Sequence, residues 1–491
     1  MTAVPAAYAA SVAGGPAGDG RRPERTRTGR AAACTTATHD PAHRGAIVVR
    51  EPTPVQKAEP PVTATRVLVL NSGSSSVRYQ LLEMADGSRQ AAGIVERIGE
   101  RQSRLVHSSP ASGGETPNAS GGETPALASG GERRERVEEF ADHDAALRAV
   151  ARELEADGCG LEDPRLAAIG HRVVHGGQTF TRPTLVDDAV LAEIERLIPL
   201  APLHNPANLT GITTARSLNP GLPQVAVFDT TFHTTMPEHA ARYAIDTATA
   251  DEHLVRRYGF HGTSHAYVSR RTAEMLGKDP SEVNVIVLHL GNGASASAVR
   301  AGRCVDTSMG LTPLEGLVMG TRSGDVDPAV VLHLVRVAGM SVDGVDQLLN
   351  KRSGLVGLCG DNDMREIRRR VDEGEEEARL AFDIYVHRLK KYIGAYCAVL
   401  GRVDAVAFTA GVGENSAPVR RAALQGLEGL GLSVDDARNE AEPEGPAPAG
   451  ARIVSPDGAP VAVAVVPTDE ELEIARQTYE LVSEAGSAAH R

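Results

Sequence analysis

The sequence contains no tryptophan, and aromatic residues make up only 3% of its 491 residues. Hydrophobic residues still reach 41%, so valine, leucine, isoleucine and alanine must build the cores. A chain of this length holds two or three domains at roughly 100–200 residues each. The composition therefore predicts several domains of packed strands and helices rather than one.

Long apolar runs and excess positive charge are also missing. One of the longest apolar runs, Val461–Val466, is far shorter than the ~20 residues of a membrane-spanning helix. The formal net charge of −13 gives no long-range attraction to nucleic acids or anionic membranes. We therefore expect a soluble protein with neither nucleic acid nor membrane as a partner, in which local positive groups bind any anionic substrate.

The cysteines form no CxxC pair, which argues against a disulfide framework or a zinc site. They are Cys34, Cys159, Cys304, Cys359 and Cys397. This scattered spacing fits a reducing compartment, so we expect unpaired thiols and a cytoplasmic protein.

Three segments lack the hydrophobic pattern of packed elements. Residues 1–65, rich in Ala, Pro, Thr and Arg, predict a disordered tail without the apolar core of a secretory signal. Residues 108–132 repeat ASGGE three times and predict an inserted surface loop. A second loop, rich in Pro, Ala and Glu, is predicted at about 438–451.

Short apolar runs alternate with helical patterns along the rest of the chain. The runs that predict strands are Val67–Leu70, Val225–Phe228, Val285–Leu290, Ala405–Phe408 and Val461–Val466. Helical periodicity extends from Thr263 to Leu276 and from about Leu380 to Leu400. The alternation predicts an α/β architecture in which helices pack on sheets.

Glycine-containing turns follow three of these strands, at Asn71–Ser76, Gly291–Gly293 and Gly411–Asn415. Small residues let backbone N–H groups approach phosphate oxygens, and serine hydroxyls can bind phosphate or Mg²⁺. The first turn lacks the GxxxxGKS/T spacing of a P-loop, and on its own such a turn is more often a hairpin. The three turns together favour a nucleotide held in a cleft.

Arginine and histidine occur in the other polar loops. Arg172 lies in HRVVHGG and Arg322 in MGTRSGD, contexts suited to bidentate recognition of phosphate or carboxylate, although an isolated arginine is usually a solvated surface residue. His261 and His265 are one helical turn apart. Because no HExxH surrounds them and no third ligand is apparent, hydrogen bonding at a helix start is favoured over a metal pair.

Two acidic groups follow predicted strands. Asp229 comes directly after Phe228, and Glu470 follows the 461–466 run. Either carboxylate could orient Mg²⁺ or a reacting group, and either could instead cap a helix.

Taken together, these segments resemble the acetate kinase family, in family order from about Val67 to the C-terminal helix. The segments that carry the resemblance are Asn71–Arg78, HRVVHGG, APLHNPAN, VFDTTFH, YGFHGTSH, HLGNGAS, DTSMGLTPLEG, GTRSGD and AGVGENS. The resemblance implies the actin/Hsp70/sugar-kinase fold, two duplicated α/β domains with a nucleotide cleft between them. It implies a first domain over 66–230, completed by a C-terminal helix at 471–491, a nucleotide-binding domain over 231–470, and a homodimer.

The implied activity is reversible transfer of the γ-phosphoryl group of ATP to acetate, giving acetyl phosphate and ADP. Arg172 and Arg322 would bind the acetate carboxylate and the transferring phosphoryl group, and His261 would hydrogen-bond that group in the transition state. Asp229 would position metal or substrate. Asn71 and Glu470 would hold Mg²⁺, with Mn²⁺ as an alternative.

The resemblance also implies two sets of binding residues. The wall of the acetate pocket would consist of Val174, Leu203, Phe260 and Pro313. The ATP contacts would be Arg78, His289, Leu290, Gly291, Asn292, Gly293, Asp363, Met364, Arg365, Gly411, Val412, Gly413, Glu414 and Asn415. The family commonly has lysine where Arg78 stands, so the charge is kept while the geometry of the donor changes.

Phosphoryl transfer needs positioning and charge neutralisation more than covalent chemistry, so two arginines, a histidine and a metal suffice without a nucleophilic side chain. A propionate or butyrate kinase is the first alternative, because one methylene is worth only ~1–3 kcal/mol of discrimination. An actin- or Hsp70-like conformational ATPase is the second, since fold alone cannot separate it from a kinase. Paired arginines beside a small apolar wall favour a carboxylate acceptor.

Overall fold

Two mixed β-sheets organise the structure, a computed structural model that describes residues 64–110, 131–441 and 450–489. The strands of the first sheet are β1 (Arg66–Ser72), β2 (Ser76–Glu83), β3 (Arg89–Glu96), β4 (Ser103–Ser109), β5 (Glu132–Glu138), β6 (Leu166–Val173), β7 (Thr184–Leu185) and β8 (Gln224–Phe228). Those of the second are β9 (Asn284–Leu290), β10 (Ala294–Arg300), β11 (Arg303–Thr307), β12 (Ala405–Thr409), β13 (Arg452–Ile453) and β14 (Ala462–Val465).

The two sheets repeat one topology. The first has the order β5-β4-β3-β2-β1-β6-β8-β7 and the second β11-β10-β9-β12-β14-β13. In each, an antiparallel meander, of five strands (β5 to β1) in the first sheet and three (β11 to β9) in the second, is continued by two parallel strands, β6 and β8 in one and β12 and β14 in the other. The predicted fold class of duplicated α/β domains is confirmed.

Helices cover both faces of the sheets. They are α1 (His143–Ala156), α2 (Asp188–Arg196), α3 (Asn205–Leu218), α4 (Glu238–Ala241), α5 (Thr247–Glu252), α6 (Gly262–Met275), α7 (Pro328–Arg336), α8 (Val342–Lys351), α9 (Gly354–Cys359), α10 (Met364–Asp372), α11 (Glu376–Leu400), α12 (Ala410–Asn415), α13 (Ala417–Leu424), α14 (Asp436–Glu440) and α15 (Glu470–Ala489). Among the described residues, no helix is long and apolar enough to cross a membrane.

The central strands are buried from both sides, as parallel strands between helices must be. Every residue of β8, β9 and β12 is buried. The largest core cluster joins one face of the second sheet to α10 and α11. Helix α15 packs on β1 and β6 of the first sheet and on α6, and so connects the two halves of the described chain.

The ends of the predicted loops are regular structure. Ser108 and Ser109 pair with Arg133 and Glu132 in the β4–β5 ladder, and α14 covers the start of the loop predicted at 438–451. The apolar patterns of the sequence did not indicate β5, because β5 is a charged edge strand with no buried residue. Residues 1–63, 111–130 and 442–449 of the predicted tail and loops lie outside the described residues.

Candidate active site

Arg172 and Asp229 form the most extensive ion pair of the site. Arg172 is next to last in β6 and Asp229 directly follows β8, and these parallel neighbours end at the same edge of the sheet. The guanidinium donates from Nε to Oδ1 at 2.9 Å and from Nη2 to Oδ2 at 2.7 Å. Burial alone would lower the pKa of Arg172, but the charges of Asp229 and Glu470 hold it above its ordinary value. Arg172 is therefore a fixed, oriented cation.

Glu470, the first residue of α15, is a second carboxylate close to Arg172. Its Oε2 is 3.8 Å from Arg172 Nη2 and accepts from Thr263 Oγ1 at 3.4 Å. Burial raises the pKa of Glu470, and the charge of Asp229 raises it further, whereas Arg172 and Arg78 lower it. Because burial and the charge of Asp229 both act against the ionised form of Glu470, a further cation beside Glu470 would be stabilising. The capping alternative applies to the neighbouring Asp469, whose Oδ1 accepts from Leu472 N.

Oxygen donors beside Glu470 suit a hard divalent cation. Asn71 and Arg78 are paired across the β1–β2 ladder, and Arg78 interacts electrostatically with Glu470. Asp229 and Glu470 offer carboxylate oxygens at Arg172, and Asn71 offers an amide oxygen opposite Arg78. Oxygen donors of these kinds are the ones that Mg²⁺ prefers. Within residues 64–110, 131–441 and 450–489, no three His, Cys, Asp or Glu side chains form a group that could hold a metal ion.

His261 occupies the strained entry to α6. It has a left-handed backbone conformation with φ of 57°, which non-glycine residues rarely adopt outside functional or over-determined positions. Its Nδ1 is 2.9 Å from Ser295 Oγ, and its ring stacks on His289 with centroids 4.2 Å apart. Burial holds the pKa of His261 well below its ordinary value, and the positive charges of Arg172 and Arg322 lower it further. The imidazole is therefore neutral at pH 7.

Arg322 faces the same point as His261. A Cβ added to Gly293 would lie 3.5 Å from His261 Nε2 and 3.7 Å from Arg322 Nη1. Arg322 Nη1 donates to Pro313 O at 3.2 Å, and in the described part of the chain no carboxylate lies within ion-pair distance of its guanidinium. Burial lowers the pKa of Arg322 without changing its charge. The Arg322 guanidinium and the neutral His261 imidazole thus lie close together beside Gly293, which has no side chain.

The four predicted wall residues differ in burial. Phe260 is buried, and Val174 packs against the core cluster that contains it, whereas Pro313 is half-buried and Leu203 is 64% exposed. Two asparagines that sequence reasoning did not single out fix the loop of Val174. These are Asn208, whose Oδ1 accepts from Val174 N at 3.0 Å, and Asn205, whose Oδ1 accepts from His175 N at 3.2 Å. Their only sequence signal was the APLHNPAN segment.

The predicted nucleotide loops meet beside His289. Residues of β9 and β12 pair in parallel, with Thr409 opposite His289, and a Cβ on Gly291 would lie 3.8 Å from the Ala410 side chain. The Asn292 side chain accepts from Asn362 Nδ2 at 3.0 Å, which connects this loop to the predicted adenine segment at Asp363–Arg365.

Several residues predicted to contact ATP have side chains that are buried or paired with each other. Met364 is buried in the core, and Arg365 pairs with Asp363 on the surface. The segment Ala410–Asn415 is a short helix, with Ala410 at φ of 63°. Its Glu414 is buried and accepts from the backbone N–H groups of Ala410 at 2.8 Å and Thr468 at 3.1 Å. These segments offer backbone groups more than side chains.

Comparisons with known proteins identify the family of the chain. Residues 66–476 match the Acetokinase family. A curated acetate kinase of Streptomyces coelicolor is 71% identical over 426 residues, which cover 87% of this chain and 99% of the relative. A crystal structure of Porphyromonas gingivalis acetate kinase is 42% identical with a TM-score of 0.76, covering 85% of this chain and all of that one. A propionate kinase from Francisella tularensis is 38% identical with a TM-score of 0.75, covering 85% and 99%. The chain belongs to the Acetokinase family.

Proposed function

We propose that this protein is an acetate kinase, which transfers the γ-phosphoryl group of ATP reversibly to acetate and forms acetyl phosphate and ADP. The observation that carries the proposal is the convergence of Arg322 and neutral His261 above Gly293, beside the oriented cation Arg172. The similarity to proteins named acetate kinase supports the choice of acceptor.

The acceptor needs no general base, because a carboxylate is already ionised at neutral pH. One of its oxygens attacks the γ-phosphorus in line with the departing oxygen of ADP. Arg172, held by Asp229, binds and orients the acetate carboxylate. Arg322 and the His261 N–H stabilise negative charge on the phosphoryl oxygens as it passes between donor and acceptor.

Asn71 and Glu470, with Asp229 nearby, would hold Mg²⁺ or Mn²⁺, which supplies charge neutralisation for phosphate oxygens. The raised pKa of Glu470 supports this assignment, because its ionised form gains from an added cation. The nucleotide would lie along Gly291–Gly293 and the start of α12, where backbone N–H groups are close to small residues.

Propionate kinase is the second candidate function, because a protein of that name is 38% identical to this chain. One methylene gives only a small difference in binding energy beside an apolar residue such as Val174. We therefore expect propionate to be a secondary substrate of the same site. A conformational ATPase has no use for two arginines beside an apolar wall, so it is the least supported alternative.

We also propose a cytoplasmic homodimer. The cysteines among the described residues are unpaired, as a reducing compartment requires. Helix α7 has no buried residue. Exposed apolar side chains lie on it and next to it, at Val326, Val330, Leu332, Val337 and Val342. Such a patch suits a second copy of the chain. Light scattering should give the mass of a dimer for the wild type and a monomer for Val337→Glu; a monomeric wild type would contradict the homodimer.

The decisive experiment is to trap acyl phosphate with hydroxylamine across acids of increasing length. Acetate should give the highest kcat/KM, propionate a lower value, and butyrate the lowest, because each methylene must fit beside Val174. ATP hydrolysis that proceeds equally without any carboxylic acid would instead favour the conformational ATPase.

A further inference from the structure

Ser295 lies between two active-site histidines. It is fully buried in β10, and its Oγ is 2.9 Å from His261 Nδ1 and 2.7 Å from His265 Nε2. A hydroxyl carries one proton and can accept two hydrogen bonds, and the two histidine nitrogens are the only hydrogen-bond partners of Ser295 Oγ among the described residues. Ser295 therefore donates its proton to one ring and accepts from the other. Whichever histidine is fixed first therefore fixes the other.

His265 is the histidine whose proton can be placed. It is fully buried, and burial holds its pKa well below the ordinary value, so the ring is neutral. Its Nδ1 is buried without a hydrogen-bond partner among the described residues. A proton on Nδ1 would be an orphaned buried N–H, which proteins avoid more strictly than an unused acceptor. The proton therefore sits on Nε2 and is donated to Ser295 Oγ.

The direction of the second hydrogen bond follows. Ser295 accepts from His265 and has no third hydrogen-bond partner in the described part of the chain, so its O–H donates to His261 Nδ1. The single proton of neutral His261 is therefore on Nε2. That atom faces Gly293 and Arg322. The stack on His289 fixes the plane of the His261 ring, and the bond to Ser295 fixes its rotation.

We propose that His265 and Ser295 are positioning residues, which form a one-way hydrogen-bond relay that holds His261 as an Nε2–H donor toward the transferring phosphoryl group. The relay rests on the proposed function for its purpose but not for its existence, since the proton positions follow from the protein alone. In the opposite tautomer His261 would direct a lone pair at the phosphoryl oxygens and repel them.

The relay is tested without turnover by long-range ¹H–¹⁵N NMR of the full-length protein labelled at histidine. The His261 signals are assigned by their loss in His261→Gln. Nε2 should carry the proton, and Nδ1 should give the signal of an unprotonated, hydrogen-bonded nitrogen that shifts in Ser295→Ala. A proton on His261 Nδ1 overturns the relay, whatever reaction the enzyme catalyses.

Kinetics test the positioning role. Ser295→Ala and His265→Leu should each lower kcat by roughly tenfold with little change in KM, as loss of a partner that orients a functional group does. His265→Gln, which restores an N–H donor, should recover most of that loss. The matched control is Ser297→Ala, which removes another buried serine hydroxyl of β10, one that contacts Thr307 Oγ1 at 3.0 Å and not His261.

Each outcome decides. Equal losses in His265→Gln and His265→Leu, or a loss in Ser297→Ala as large as in Ser295→Ala, would show a structural role and overturn the positioning role. If His265→Leu does not fold, Ser295→Ala and the NMR signals of the wild type still decide. An unchanged kcat in Ser295→Ala with the expected tautomer would overturn the positioning role, and His261→Ala with normal kcat would overturn the proposed function instead.

Discussion

The proposed phosphoryl-transfer side and the proposed nucleotide side of the site are built differently. On the first, side chains of Arg172, His261 and Arg322 are held by specific partners and present their charged or polar atoms. On the second, Met364 and Glu414 are buried, and Glu414 accepts from the backbone N–H groups of Ala410 and Thr468. Substitutions on the first side should therefore lower kcat. Substitutions on the second side should change the shape of a nucleotide loop and so mainly raise KM for ATP.

The largest effect is expected for Arg322→Ala. Arginine clamps on phosphoryl groups contribute ~10³–10⁵ in rate, so kcat should fall by at least about 100-fold. Arg322→Lys should recover little, because an ammonium lacks the planar fork. Steady-state kinetics with both substrates varied provides the measurement, and Arg303→Ala, an exposed arginine on β11, is the control. A raised KM with normal kcat would place Arg322 in ground-state binding only.

Arg420 should show the opposite behaviour. It is 1% exposed and donates to Gly413 O at 2.9 Å, Glu414 O at 2.8 Å and Asn439 Oδ1 at 2.7 Å. Arg420→Met leaves these acceptors buried and unpaired, so the free energy of unfolding should fall by about 2–4 kcal/mol. KM for ATP should rise more than kcat falls.

Urea unfolding and ATP titration of this variant sharpen the comparison. The control is Arg421→Met, since the neighbouring arginine pairs with Asp436 and Glu440 at the surface. If kcat of Arg420→Met drops while KM for ATP stays constant, the proposed difference between the phosphoryl-transfer side and the nucleotide side is wrong.

A smaller effect is expected for Val174→Ala. The extra space should raise the ratio of kcat/KM for propionate to that for acetate by about 3- to 10-fold, at the low end of what one methylene can contribute. Val137→Ala, 61% exposed on β5, is the control. A constant ratio would remove Val174 from the pocket wall.

The smallest effect is a change of pH dependence in Glu414→Gln. Burial raises the pKa of Glu414 in the folded protein, against the backbone N–H groups of Thr468 and Ala410. The unfolded chain therefore loses this proton at lower pH than the folded one, and stability falls as pH rises from the unfolded to the folded pKa. Glutamine has no such proton. The melting temperature of the variant should therefore fall less steeply than that of the wild type as pH rises over that interval. Parallel curves would contradict the raised pKa.

The sequence predicted the strands better than the contacts that hold the site side chains in place. Buried runs such as Val285–Leu290 are visible as continuous apolar segments, and they are strands. The helix at Ala410–Asn415 was not visible, because it depends on a left-handed Ala410 and on the inward-turned Glu414. Ser295 and His265 are 30 positions apart, and only the packing of α6 on the second sheet brings them together.

Stereochemistry at phosphorus tests the central claim most directly. ATP made chiral at the γ-phosphorus with oxygen isotopes is converted to acetyl phosphate, and the configuration of the product is analysed. Direct in-line attack by the acetate oxygen, with the oriented side chains of Arg172, His261 and Arg322 and no covalent intermediate, predicts inversion. Retention would require two successive displacements through a phosphorylated side chain, and would contradict the account.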